Sequence, residues 1–160
     1  MNKRGSLNLQ LMIVIPFIIL CFVVVYQFTM TRSTVNKMKN VVNIATNSGA
    51  YNVVKGTSLA QGVFLIDEDE AKLDVKNVLI KNFNLNSDLS PDNSSYLKTF
   101  EIKELKVINS IGNYHSDVMD RNYDVEHPSI FLVIEVEIKD IFGKKIVIDS
   151  LASSQLKSKY

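Results

Sequence analysis

One stretch limits what this chain can be: "LNLQLMIVIPFIILCFVVVYQF", Leu7 to Phe28. It carries no charge, and from Leu11 to Tyr26 only Pro16 interrupts the apolar run. As a helix rising ~1.5 Å per residue it is ~33 Å long, enough to cross a ~30 Å hydrocarbon layer. Tyr26 and Gln27 sit where an interfacial aromatic belt would lie. Pro16 removes one helical hydrogen bond and can kink the chain, which transmembrane helices tolerate.

A secretory signal peptide is the first competitor. Its apolar region runs to ~7–15 residues and ends in a small-x-small cleavage site. Here the exit, "FTMTRSTVNK", offers Thr29 and Thr31 but no Ala-x-Ala. The segment therefore reads as retained. Cys21, the one cysteine, lies inside it, so no disulfide forms within the chain and the thiol reads as a small apolar filler.

The 160 residues have a formal net charge of +1, unevenly placed. Residues 1–55 hold six of the eighteen Lys and Arg and no acid. That leaves twelve cations against seventeen anions, a net −5, in residues 56–160. A basic, apolar front and an acidic back point to a membrane-attached protein with an exported domain. The acidic back argues against a nucleic-acid partner, which needs a basic face. Lys3 and Arg4 favour an inside N-terminus, but Arg32, Lys37 and Lys39 flank the other end, so charge counting is close to a tie.

The order of residues at the front is specific. Lys3 and Arg4 precede Gly5; Gln10 follows five residues after Gly5, and Pro16 eleven residues after it. This order resembles the TadE-like minor pilins, or pseudopilins, of the tight-adherence (Flp) pilus system. In that family a Gly is followed by a short stretch to a Glu, then an apolar run with Pro six residues after the Glu. Gln10 and Pro16 keep that interval. The family's helix leaving the membrane commonly ends in a stretch like A-x-R-E-G-A-R-x-A. "IATNSGAYNVV" keeps Ala45, Gly49 and Ala50 in that register, with Asn47, Ser48 and Tyr51 in place of Arg, Glu and Arg. The resemblance covers about the first 55 residues.

The resemblance implies a bacterial cell-membrane protein, single-pass, with a cytoplasmic N-terminus and an extracytoplasmic C-terminal domain. Residues 1–5 are a leader held at the headgroups by Lys3 and Arg4. A prepilin peptidase cuts between Gly5 and Ser6, where glycine lets an extended backbone enter the protease cleft. Residues 6–28 cross the membrane, with Gln10 and Pro16 at the subunit-docking level. Residues 29–55 continue the helix, and 56–160 form the exported domain. Other pilin and pseudopilin subunits and the lipid bilayer are the further partners. Gln10 stands where the family has Glu; it can donate and accept hydrogen bonds but cannot neutralise a neighbouring subunit's new amine. The competing expectation is an uncleaved single-pass protein with an extracellular binding or sensing domain.

Beyond the membrane, Val35, Met38, Val42 and Ala45 recur at steps of three and four, with Val41 and Ile44 beside them. That makes one apolar stripe on a helix. It can pack on the protein's own sheet or form a seam with other subunits. Gly49 and Ala50 allow close backbone approach, or Gly49 weakens the helix near its end.

Ile66 to Asn86 reads as a second helix, with Val75, Val78, Leu79 and Asn82 on one face and Ala71 and Phe83 flanking. Asp67 can cap it, and Glu68, Asp69 and Glu70 complement its dipole. A cation site there lacks the spacing and glycine of an EF-hand. Asn86 to Ser95 reads as a loop, whose Asp88 and Asp92 have no fixed geometry for calcium. Strand-like stretches follow at Tyr96–Ile111, Ser129–Lys139 and Lys145–Leu151, the last two joined through "DIFGKK" with Gly143 in the turn. The expected fold is α+β: a long N-terminal helix, transmembrane then amphipathic, followed by a small domain with a helix packed on an antiparallel sheet. Residues 57–160 are expected to fold without the long helix.

"GNYHSDVMDRNYDVEHPSI" holds His115, His127, Asp117, Asp120, Asp124 and Glu126, and reads as a solvated polar loop. No HExxH, GxSxG, Walker or dinucleotide pattern occurs. No catalytic residue, metal ligand or cofactor is assigned, and an enzyme is not expected.

Overall fold

The computed structural model describes residues 3–52, 65–139 and 145–153, with side chains from residue 12 onward. Contacts divide the chain into two compact units, Met1–Lys37 and Met38–Tyr160. Helix α1 (Lys3–Ala50) contributes residues to both.

The second unit is an α+β domain. Helix α2 (Glu68–Phe83) is capped by Asp67, whose carboxylate accepts from the backbone N–H of Asp69 and Glu70, both at 3.1 Å. These bonds satisfy donors that the helix itself leaves open. Asn84 ends it in the left-handed region, at φ 52°, with its N–H donating to Ile80 O. The buried row is Ala71, Val75, Leu79 and Phe83. This corrects the expected face. Val78 is only half-buried, and Asn82 is exposed, donating from Nδ2 to Val78 O at 2.8 Å. A strict step of four turns the row by only about 40° each time, so one straight ridge meets the sheet.

The main sheet is antiparallel, in the order β1 (Leu97–Ile108), β4 (Ser129–Ile138), β5 (Lys145–Ser153). The segment Asp140–Lys144, including the expected Gly143 turn, lies outside the described residues. Central strand β4 is buried without a break from Ser129 to Ile134 because both its faces are covered there. Ile130, Leu132, Ile134 and Val136 face the helices, and Phe131 and Val133 face the other way.

Strand β1 solves a problem of parity. Phe100 and Ile102 pair with Val136 and Ile134, and Leu105 and Val107 pair with Leu132 and Ile130. All four therefore share the helix face, yet the step from Ile102 to Leu105 is odd. A register shift at Lys103 takes up the extra residue, and another occurs at Lys98. Phe100 meets Phe83 of α2 with ring centroids 5.6 Å apart.

The stretch expected as a solvated loop is a β-hairpin. Strands β2 (Gly112–Ser116) and β3 (Arg121–Val125) pair in register, Tyr114 opposite Tyr123. The hairpin lies over the second face of the main sheet. Tyr114, Met119, Tyr123 and Leu151 pack against a cluster of Ile108, Val125, Phe131 and Val133. The Tyr123 and Phe131 rings are 4.6 Å apart.

The helix-face core is completed by α1. Met38, Val41, Val42, Ala45 and Ala50 are buried. A Cβ built on Gly49 would stand 2.6 Å from Ile130 Cδ1, 2.7 Å from Val75 Cγ2 and 3.0 Å from Ala71 O. Only glycine allows α1 this close to both α2 and β4. Buried Thr46 places Oγ1 3.0 Å from Ser150 Oγ on β5, and Ser150 donates to Asn43 Oδ1 at 2.7 Å. Asn52, just past α1, accepts from Asp67 N–H at 2.8 Å and donates to Asp74 Oδ2 at 2.8 Å. The division at Lys37 and Met38 thus lies inside α1. A self-contained domain of residues 56–160 would lack part of its own core.

Candidate functional site

The first unit's distinguishing feature is exposed apolar surface. Met12, Phe22 and Phe28 are 75%, 72% and 70% exposed, and the apolar side chains between them look out on every side of the helix. An all-round apolar helix of this kind needs lipid or other apolar helices as its solvent. Gly5 to Thr31 contains no Asp, Glu, Lys, Arg or His. Among the described residues, one helix is long and apolar enough by length and composition to cross a membrane, Met12–Ala50, and the uncharged stretch overlaps it from Met12 to Thr31. The helix continues through Pro16. Thr29 and Thr34 turn their hydroxyls inward, donating to Val25 O and Met30 O at 2.9 Å each. Their polarity is satisfied without water.

The backbone is helical from Lys3, so Lys3, Arg4, Gly5, Ser6 and Gln10 all lie in the first turns of α1. The Gly5–Ser6 bond is helical here, not extended. The first turn lacks intrahelical acceptors for its N–H groups, so unwinding it costs little. Gln10 and Pro16 do not share a face, because six residues place them about 120° apart around the helix.

The helix-packing residues do come together. Met38, Val42, Ala45, Gly49 and Ala50 are buried within the second unit, and Val35 is half-buried. Of the two readings of the stripe, packing on the protein's own domain accounts for these buried positions. Ile44 is exposed.

The domain's polar groups form local clusters. Glu104 on β1 accepts from the hydroxyls of Tyr114 and Ser116, the latter at 2.6 Å, and Tyr123 donates to Asp149 Oδ2 on β5 at 2.9 Å. Burial, then the Glu104 carboxylate, pushes the Tyr114 phenol well above its ordinary range. Burial and Asp149 raise Tyr123 in the same way. His115 Nδ1 lies 2.8 Å from Asn122 Oδ1 across the hairpin, on its exposed side. Asp88 accepts from Ser90 N–H and Oγ, which holds its carboxyl below the usual range. Asp92 accepts from Ser94 Oγ at 3.1 Å. Both aspartates therefore stabilise their own loop. Among the described residues, no group of three or more His, Cys, Asp and Glu is placed to hold a metal ion.

Where the hairpin stops, the outer face of the sheet is charged. Lys98 reaches Glu137 at 2.7 Å, and Lys145 reaches Glu135 at 2.9 Å, with Lys103 between Glu101 (2.7 Å) and Glu135 (3.9 Å). The Lys145 ammonium, with Lys103 behind it, holds Glu135 below its ordinary range. Such solvated pairs add little stability but suit a face in water.

The sequence reading missed the Glu104–Tyr114–Ser116 and Tyr123–Asp149 contacts because it missed the hairpin. The available signal was the repeated placement of a tyrosine in "GNYHS" and "RNYDV", each followed by a second inward residue two positions on.

Fold and site together define an α+β protein with a long N-terminal helix, part of which is fit to cross a bilayer. The chain matches no family model, no curated protein and no solved structure.

Proposed function

We propose that this chain is a single-pass bacterial membrane protein that works as a minor pilin or pseudopilin of a tight-adherence (Flp-type) pilus or related secretion system. Its role is structural. Residues 1–5 serve as a cytoplasmic leader, a prepilin peptidase cuts after Gly5, and the apolar helix holds the subunit in the bilayer beside other pilin helices. The domain stands on the extracytoplasmic side.

The observation that carries this reading is the uncharged helix, exposed on all sides, directly preceded by Lys3-Arg4-Gly5. A membrane helix explains the exposure, and a leader explains the glycine. The Gln10–Pro16 interval supports the family assignment. The substitution of Gln for Glu at position 10 favours one competing reading, an uncleaved anchor carrying an extracellular binding domain.

Intact mass measurement of the protein co-expressed with a prepilin peptidase separates the two. The pilin reading expects a mature chain beginning at Ser6, and retention of the leader in Gly5→Leu. A wild-type chain that keeps its leader in the presence of active peptidase would leave the anchor reading standing. In the cleaved protein, Gln10→Glu should keep or strengthen crosslinking to pilin subunits. Gln10→Leu should weaken it, since the neighbouring amine loses its acceptor.

A further inference from the structure

The hairpin β2–β3 is fastened to the domain unlike its neighbours. Strands β1, β4 and β5 share backbone ladders, whereas the hairpin forms its own two-stranded sheet. Among the described residues, no backbone hydrogen bond joins it to another element. Apolar contact holds it through Tyr114, Met119, Tyr123 and Val125. Among the described residues, three side-chain hydrogen bonds add to this, and two carboxylates on opposite edge strands accept all three. Glu104 of β1 takes Tyr114 and Ser116, and Asp149 of β5 takes Tyr123.

Both ends of the hairpin have a pivot next to a fixed point. Asn109 is pinned by accepting from Ile66 N–H at 2.8 Å and donating to Ile66 O at 3.1 Å. Gly112 then takes φ +137°, with nothing within 4 Å of the position a Cβ would occupy. On the exit side, Ser129 starts β4 and donates to His127 O at 2.6 Å. A two-stranded hairpin has little stability of its own. Elements joined to a core by few shared backbone bonds open before the core does.

We infer that β2–β3 is a strap that opens as one unit about Gly112 and residues 126–128, uncovering Phe131 and Val133 while β1, β4 and β5 stay paired. The tyrosine-to-carboxylate bonds at the two edges are its fasteners. Closed, the strap hides an apolar strip on the central strand; open, it presents that strip beside the charged outer face.

Residue-resolved hydrogen exchange on the full chain in detergent micelles tests this. In the wild type, the paired amides of 113–116 and 122–125 should exchange together, about tenfold or more faster than those of 130–136. The double variant Tyr114→Phe/Tyr123→Phe keeps the rings and removes the fasteners. It should speed exchange in the hairpin by about a further tenfold and leave β4 unchanged. The single variant Tyr123→Phe, a milder change, should show the same selectivity with a smaller factor. Hairpin amides that follow β4 in the wild type would overturn the inference. So would variants that accelerate both regions equally, or that leave the hairpin rates as they were.

Discussion

Residues 12–31 and residues 38–50 belong to one helix and share a taste for Val, Ile and Met, yet they are solvated in opposite ways. In the first stretch, apolar side chains point to all sides and the large ones are exposed. In the second, Met38, Val41, Val42, Ala45, Gly49 and Ala50 lie on a buried side, while Lys39, Asn40, Asn43 and Asn47 are exposed. Apolar content alone does not separate the two; angular distribution does. An all-round pattern asks for lipid, and a stripe asks for a sheet.

The strongest way to break this comparison is to cut the helix. A chain of residues 38–160 keeps the stripe and should fold cooperatively without detergent. A chain of residues 57–160 loses seven buried positions of α1, Thr46 among them, each large apolar one worth about 1.5–3 kcal/mol of burial. Against a typical total of about 5–15 kcal/mol, that loss should leave it unfolded. Circular dichroism and thermal melting of the two fragments decide. A folded 57–160 fragment would show that α1 only leans on the domain.

The next largest effect is expected at Gly49. Leucine there must displace Ile130, Val75 and the Ala71 carbonyl, and backbone does not yield as a side-chain tip does. Gly49→Leu should cost about 3 kcal/mol or more in domain stability. In the first stretch, Ile18→Leu changes one exposed apolar side chain for another and should leave the domain's melting unchanged. Equal shifts from the two variants would mean that the stretches are not solvated differently.

A pH titration sharpens the comparison from the domain side. Tyr114 and Tyr123 are neutral in the fold, and burial raises both phenols above their ordinary value of 10.0. The unfolded chain therefore releases these protons first. Their stabilising effect is complete below pH ~10 and declines as pH rises through the folded values. Ultraviolet titration should find ionisation of these tyrosines delayed and coupled to loss of the hairpin. Early, independent ionisation of Tyr114 would contradict its burial.

Much of this architecture is legible in the sequence. The uncharged run, the Asp67 cap and the three long strands each follow from a single local rule. The rest depends on partners distant in the chain. The row Ala71–Val75–Leu79–Phe83 wins over Val78 and Asn82 because of the ridge that meets the sheet, which helix periodicity cannot distinguish. The odd step between Ile102 and Leu105 records the shift at Lys103, but parity has meaning only once β4 is known as the partner. The hairpin was hidden by its polarity: His115, Asn122 and Asp124 on its outer side mask Tyr114 and Tyr123 on its inner side. The cleavage and docking roles proposed for Gly5, Ser6 and Gln10 would depend on other proteins, so the fold of one chain carries no mark of them.

The smallest expected effect is the most discriminating, because it compares one residue type in both stretches. Thr29 and Thr46 each donate to the carbonyl four residues back, at 2.9 Å and 3.1 Å. Among the described residues Thr29 has no further partner, and it is exposed, so its hydroxyl serves its own helix. Thr46 is fully buried and also meets Ser150 of β5, linking α1 to the sheet edge. Valine has the same shape without the hydroxyl. Thr46→Val leaves Ser150 with Asn43 alone in a buried site and should cost about 1 kcal/mol. Thr29→Val removes a bond that stabilises nothing beyond itself and should stay within about 0.5 kcal/mol. Thermal unfolding of both full-length variants in one detergent measures the difference. If Thr29→Val proves the more costly, the first stretch has a protein partner at that level, and lipid alone does not solvate it.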